Sequence, residues 1–170
     1  NDGNGMTSGH VRVYDWNGSS WIQAGIDIDG EAPGDQFGWV RLNANGLRLA
    51  VGGRSNDGNG RDAGHVRIYS WDGSSWNQMG TDIDGEASND HSGSSVSLNA
   101  VGNRIAIGAH DNDGTGSNAG HVRIFDWNGS DWKQLGDDID GEAEGDKSGA
   151  YRTVRLNGKG DRVIIAGQNN

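Results

Sequence analysis

Gly64-His65-Val66-Arg67-Ile68-Tyr69-Ser70-Trp71-Asp72-Gly73-Ser74-Ser75-Trp76 is the stretch on which the fold turns. Val66 and Ile68 fall on one face of an extended chain, and His65, Arg67 and Tyr69 on the other, which is the period of a β-strand. Asp72-Gly73 then supplies the positive-φ positions that a tight hairpin turn needs, and Trp76 opens a returning strand. Both faces of the first strand carry bulky residues, as expected of a sheet packed between two neighbours.

The same phrase recurs upstream and downstream. Gly-His-Val-Arg stands at His10, His65 and His121, followed by the paired tryptophans Trp16/Trp21, Trp71/Trp76 and Trp127/Trp132. Asn-Asp-Gly opens each copy at Asn1, Asn56 and Asn112, so the periods are 55 and 56 residues. Asp-Ile-Asp-Gly-Glu-Ala follows from Asp27, Asp82 and Asp138, and each copy closes on an apolar hairpin. No segment has a helical period. In the second copy the reading places strands at 65–71, 76–80, 95–99 and 104–109, with a turn at Gly102 joining the last two. Four short antiparallel strands per repeat of about 40–50 residues or more is the pattern of a β-propeller blade. The expected fold is all-β: three tandem repeats of about 56 residues, at 1–55, 56–111 and 112–170, within one segment spanning 1–170. A strand solenoid is disfavoured, since its coils run about 20–30 residues.

The 31 glycines and single proline show no Gly-X-Y period, which excludes collagen. A net charge of −10 argues against nucleic acid, whose phosphates call for a basic surface. No stretch reaches the roughly 18 apolar residues of a membrane-spanning helix. With no cysteine there is neither a disulfide scaffold nor a thiolate metal site. No leader segment is evident, so the chain reads as mature or excised.

Gly34-Asp35-Gln36-Phe37-Gly38, a strand, then Leu49-Ala50-Val51-Gly52-Gly53 resembles the FG-GAP repeat of integrin-α-type propellers. The second copy keeps Ser92-Gly93-Ser94-Ser95-Val96 and Ile107-Gly108-Ala109; the third keeps Ser148-Gly149 and Ala166-Gly167. The resemblance covers essentially the whole chain. It implies blades at 36–90 and 91–146, with half-blades at 1–35 and 147–170, and a non-enzymatic, extracellular or cell-surface role in adhesion. Phe-Gly survives only at Phe37-Gly38, and the family's proline after Gly-Ala is missing. The turns at 43–46, 99–102 and 157–160 lack the carboxylates of the family's calcium loop, so calcium does not carry over to them.

The acidic element offers a different cation candidate: Asp27, Asp29, Glu31 and Asp35, with equivalents Asp82, Asp84, Glu86 and Asp90, then Asp138, Asp140, Glu142 and Asp146. Alternate carboxylates around a glycine turn suit Ca²⁺, which takes six to eight oxygens. The competing reading is that they accept loop N–H groups and pair with an arginine of the next blade. His10, His65 and His121 are expected to bond neighbouring carboxylates or backbone. The six paired tryptophans are packing anchors or, if exposed, platforms for stacking glycans. Asn17 and Asn128 fit the N-glycosylation pattern.

No catalytic residue is assigned. The chain has no Cys nucleophile, no Gly-x-Ser-x-Gly elbow and no His-Glu-x-x-His, and its carboxylates repeat in every copy, whereas a catalytic pocket needs unique residues. The leading expectation is a structural, adhesive module for protein–protein assembly, with other copies of the chain, further repeats of a longer protein, or surface proteins as partners. The alternative is a multivalent, lectin-like module for glycans.

Overall fold

A computed structural model describes residues 3–169. Asn1-Asp2, which open the first Asn-Asp-Gly phrase, and Asn170 lie outside the described residues. Sixteen antiparallel strands and no helix are found among the described residues. Strands β1 (His10–Val11), β2 (Tyr14–Trp16), β3 (Trp21–Gln23) and β4 (Ile28–Asp29) come first. They form two small ladders, β1 with β4 and β2 with β3.

A five-stranded sheet follows: β5 (Phe37–Leu42), β6 (Arg48–Gly53), β7 (His65–Trp71), β8 (Trp76–Gln78) and β9 (Ile83–Asp84). Its order is β5-β6-β7-β8, and β9 pairs with the start of β7. The second sheet repeats this plan with β10 (Ser92–Leu98), β11 (Arg104–Ala109), β12 (His121–Trp127), β13 (Trp132–Gln134) and β14 (Ile139–Asp140). A last hairpin joins β15 (Arg155–Leu156) to β16 (Val163–Ile164).

The strands expected in the second copy are present, with three differences. β8 ends at Gln78 rather than at 80, because Gly80 turns the chain with a φ of 73°. β10 starts at Ser92 rather than 95, because a bulge between Ser92 and Ser95 lets it continue pairing with β11. The Asp-Ile-Asp segment, read as an acidic turn, is itself a short strand. Ile83 is buried, and Asp84 lies opposite His65 in the ladder.

Alternation in β6 and β7 decides how the layers stack. Ala50, Val66 and Ile68 turn to the second sheet and meet Val96, Ile105, Ile107, Phe125 and Trp132. Leu49, Val51 and Tyr69 turn the other way, to Val11, Ile28 and Phe37. A third apolar layer joins Ala106 and Val122 to Val154 of the C-terminal hairpin region, with Leu156, Val163 and Ile165 packed against it. The order is therefore N-terminal ladders, first sheet, second sheet, C-terminal hairpin, with an apolar layer between each pair. Adjacent layers approach closely where side chains vanish. A Cβ on Gly52 would sit 2.1 Å from the Gly93 carbonyl oxygen, and one on Gly108 would sit 2.2 Å from that of Gly149.

Candidate functional site

Each acidic element divides its carboxylates among four tasks. Asp27 accepts from Arg12 and Gln23, and these bonds hold its carboxyl down to about 2. Asp82 accepts from Arg67 Nε at 3.0 Å and Gln78 at 2.6 Å, with His65 Nδ1 3.3 Å away. Burial pushes Asp82 up, yet His65, Arg67 and Gln78 together hold it at about 2. Asp138 repeats this with Gln134 and His121. Asp29, Asp84 and Asp140 occupy ladder positions opposite His10, His65 and His121; burial and the charge of Asp82 raise Asp84.

Glu31 reaches into the next repeat, to Arg67 and His65. Glu86 likewise reaches Arg123 at 3.4 Å and His121. Asp35, Asp90 and Asp146 are buried and accept loop N–H groups of Ala32, Ala87 and Ala143. The first two also accept from Asn56 and Asn112 of the following repeat.

The four carboxylates of one acidic element thus do not converge on one centre, although the Asn56 amide bridges Glu31 and Asp35. Glu31 instead meets His65 and Asp82, and Glu86 meets His121 and Asp138, with ligand atoms within 4.8 Å of one another. Arg67 sits between Glu31 and Asp82, so a fixed cation already balances that pair. All three repeated arginines are partnered: Arg12 by Asp27, Arg67 by Asp82 and Glu31, and Arg123 by the Asp84 carbonyl at 2.6 Å and Glu86.

The tryptophans follow a gradient. Trp132 is buried, its Nε1–H donating to the Met79 carbonyl at 3.0 Å; Trp76 donates in the same way to Ala24 at 3.1 Å. Trp71 and Trp127 are half-buried, lying where a Cβ on Gly25 or Gly80 would touch them. Trp16 and Trp21 are exposed, with ring centroids 5.5 Å apart. Asn17 and Asn128 lie in exposed turns and accept from backbone N–H groups two and three residues on. Asp72 does the same, and those N–H groups lower its carboxyl to about 2. The position is a turn-forming one, equally served by Asn or Asp.

A second group of residues breaks the repeat and was not singled out from sequence. His91 Nδ1 and His110 Nε2 lie 3.0 and 3.2 Å from Asp111 Oδ2, and Lys147 Nζ lies 2.8 Å from Oδ1. The Tyr151 ring meets His110 at a tilt, centroids 4.6 Å apart, and its hydroxyl accepts from Arg54 at 3.0 Å. Arg54 and Arg152 flank Trp39. Burial pushes His110 down to about 4, so its imidazole is neutral at physiological pH. Corresponding positions carry Gln36, His91 and Lys147, all with φ between 52 and 54°. Their disagreement among otherwise similar copies was the available signal. His91, His110 and Asp111 could together hold a metal ion, though Lys147 competes for Asp111.

No protein-family model matches the chain, and no curated protein matches it. Among solved structures, it resembles a crystal structure from Bacteroides uniformis provisionally described as a 6-phosphogluconolactonase. The TM-score is 0.65 over 96% of this chain, at 11% sequence identity. The match spans 43% of that protein's length, and at this identity it speaks to the fold alone.

Proposed function

We propose that the chain is a segment of an FG-GAP-like β-propeller, with blades at 36–90 and 91–146 and half-blades at 1–35 and 147–170. Its role is a non-enzymatic, adhesive module for protein–protein assembly outside the cell or at its surface. One observation carries this reading. The most conspicuous repeated chemistry, Glu31 on Arg67 and Glu86 on Arg123, is spent tying one sheet to the next. Residues used in this way in successive repeats serve architecture, and architecture that repeats is suited to extension and assembly.

The exposed Trp16/Trp21 pair favours one alternative, a glycan-stacking surface. A glycan array probed with and without Ca²⁺, beside a sensor surface coated with the chain and challenged with the same chain, separates the two. Self-retention with a silent array is the expected result. Retention of any glycan without self-retention would replace this reading with the lectin-like one.

A further inference from the structure

The second repeat carries two imidazoles and a carboxylate where the first repeat carries a closed hydrogen-bonded trio. Gln36, Arg54 and Ser55 of the first repeat correspond to His91, His110 and Asp111 of the second. Arg54 donates to Gln36 Oε1 at 2.7 and 3.1 Å, and Gln36 Nε2 donates to Ser55 Oγ at 3.2 Å. That trio contains its own fixed cation. In the second repeat the guanidinium and its two polar partners are replaced by three groups that ligate metal ions.

The fold delivers these groups from the end of one ladder. Ser92 pairs with Ala109 where β10 meets β11, so His91 and His110 flank that pair and Asp111 follows. Gln36 and His91 have φ of 52 and 54°, so both trios start from the same bend. The chain itself encloses the second trio: Ser94 lies on one side, and Lys147 and Tyr151 of the third repeat on another. His110 is 1% exposed.

Hydrogen bonding fixes which atoms are free. Ser94 Oγ donates to the Gly108 carbonyl at 3.2 Å, so it accepts from His110 Nδ1 at 3.0 Å. This assigns the His110 proton to Nδ1 and leaves a lone pair on Nε2. That lone pair stands 3.2 Å from Asp111 Oδ2. Two such atoms repel one another unless a cation lies between them. His91 Nδ1 is 3.0 Å from the same oxygen, yet it is buried and makes no hydrogen bond, because Oδ2 lies off the direction of its ring N–H. Lys147 binds the other oxygen, Oδ1, at 2.8 Å, which orients the carboxylate and leaves Oδ2 to the imidazoles.

From this geometry we infer that His91 Nδ1, His110 Nε2 and Asp111 Oδ2 form a binding site for a divalent transition-metal ion of the Zn²⁺ type, with a fourth position for water. Ligand atoms on a tetrahedral Zn²⁺ with bonds of about 2.0–2.1 Å stand about 3.3 Å apart. The separations of 3.0 and 3.2 Å are close to that edge. A metal vertex also accounts for the direction of His91, whose nitrogen then aims at the ion and not at the oxygen. Two nitrogen ligands select against Ca²⁺ and Mg²⁺, which take oxygen shells. Ser94 and Lys147 serve as the outer partners that hold the ligands in place. The side chains of His91 and Asp111, 24% and 17% exposed, leave the ion a route in from solvent. The two other clusters of a histidine with carboxylates are already supplied with a cation, by Arg67 and by Arg123.

Isothermal titration calorimetry of the chain with Zn²⁺ tests this, beside the variants His91→Gln, Asp111→Asn and Glu86→Gln. His91→Gln installs the residue that the first repeat carries at the same bend, and thermal unfolding in chelator verifies that each variant folds. Wild type is expected to bind one equivalent of Zn²⁺ that excess Ca²⁺ does not displace. His91→Gln and Asp111→Asn are expected to weaken that binding by about tenfold or more, since even loss of an outer partner costs about 10–100-fold. Glu86→Gln, in a cluster already holding Arg123, should bind as wild type does. Co²⁺ in place of Zn²⁺ should give the visible absorption of a four-coordinate ion in wild type and lose it in His91→Gln. If Asp111→Asn fails to fold, His91→Gln decides alone. A wild type that binds no saturable equivalent overturns the site. So does His91→Gln binding as tightly as wild type, or a loss of binding confined to Glu86→Gln.

Discussion

Trp132 and Trp21 occupy the same place in their repeats, but their neighbours differ, and so must the consequences of removing them. Trp132→Ala deletes a buried indole and its hydrogen bond to Met79, and should cost about 3–5 kcal/mol of folding stability. Trp21→Ala in the monomer should fall within about 0.5 kcal/mol of wild type, as exposed substitutions do. Urea unfolding of the two variants reads the contrast directly. His110 couples stability to pH. Burial lowers its pKa to about 4 from an unfolded value of about 6.5, so the unfolded chain takes up the proton first. The stability this residue contributes is complete above pH ~6.5 and is lost as pH falls toward about 4. Unfolding midpoints measured across that window should decline in wild type and decline less in His110→Gln. Neither residue's environment could be read locally: the two Trp motifs differ only in Ser20 against Asp131, and His110 lies outside the recurrent Gly-His-Val-Arg phrase that marks three of the five histidines.

Elements repeat more faithfully than their surroundings. The hairpins between the paired tryptophans were legible because Asn-Gly and Asp-Gly admit few backbone conformations. The short strand β9 was not, because two carboxylates flanking one isoleucine look like a solvated loop until Ile83 is seen to be covered. Between sheets, spacing is set by glycine. Gly52→Ala would drive a methyl group to 2.1 Å from the Gly93 carbonyl, a backbone atom that cannot step aside. Destabilisation of about 1–3 kcal/mol is expected, as for other overpacked sites, and a lowered thermal midpoint would show it. Gly38→Ala, where a Cβ meets nothing within 4 Å, is the control and should leave the midpoint near wild type.

Across the whole molecule, the acidic charge is organised by arginines that bridge layers. Arg67→Ala would leave Glu31 and Asp82 facing each other without their cation, at a cost of about 1–3 kcal/mol. Because Arg67 already fills that role, Ca²⁺ should leave the wild-type thermal midpoint unchanged, and stabilise only the variant in which the arginine is gone; differential scanning calorimetry with Ca²⁺ and with a chelator measures both. Repeat length, strand alternation and turn residues are local properties, and the sequence by itself determined them: an all-β chain of three similar units, with recurrent carboxylates and tryptophans at known intervals. What those residues meet is set by contacts between distant parts of the chain. Glu31 and Arg67 stand 36 positions apart, and His91, His110, Lys147 and Tyr151 come together from separate copies. A repeat motif specifies the same side chain each time, but burial and charge balance depend on the layer packed against it, and that layer differs at the two ends of the stack.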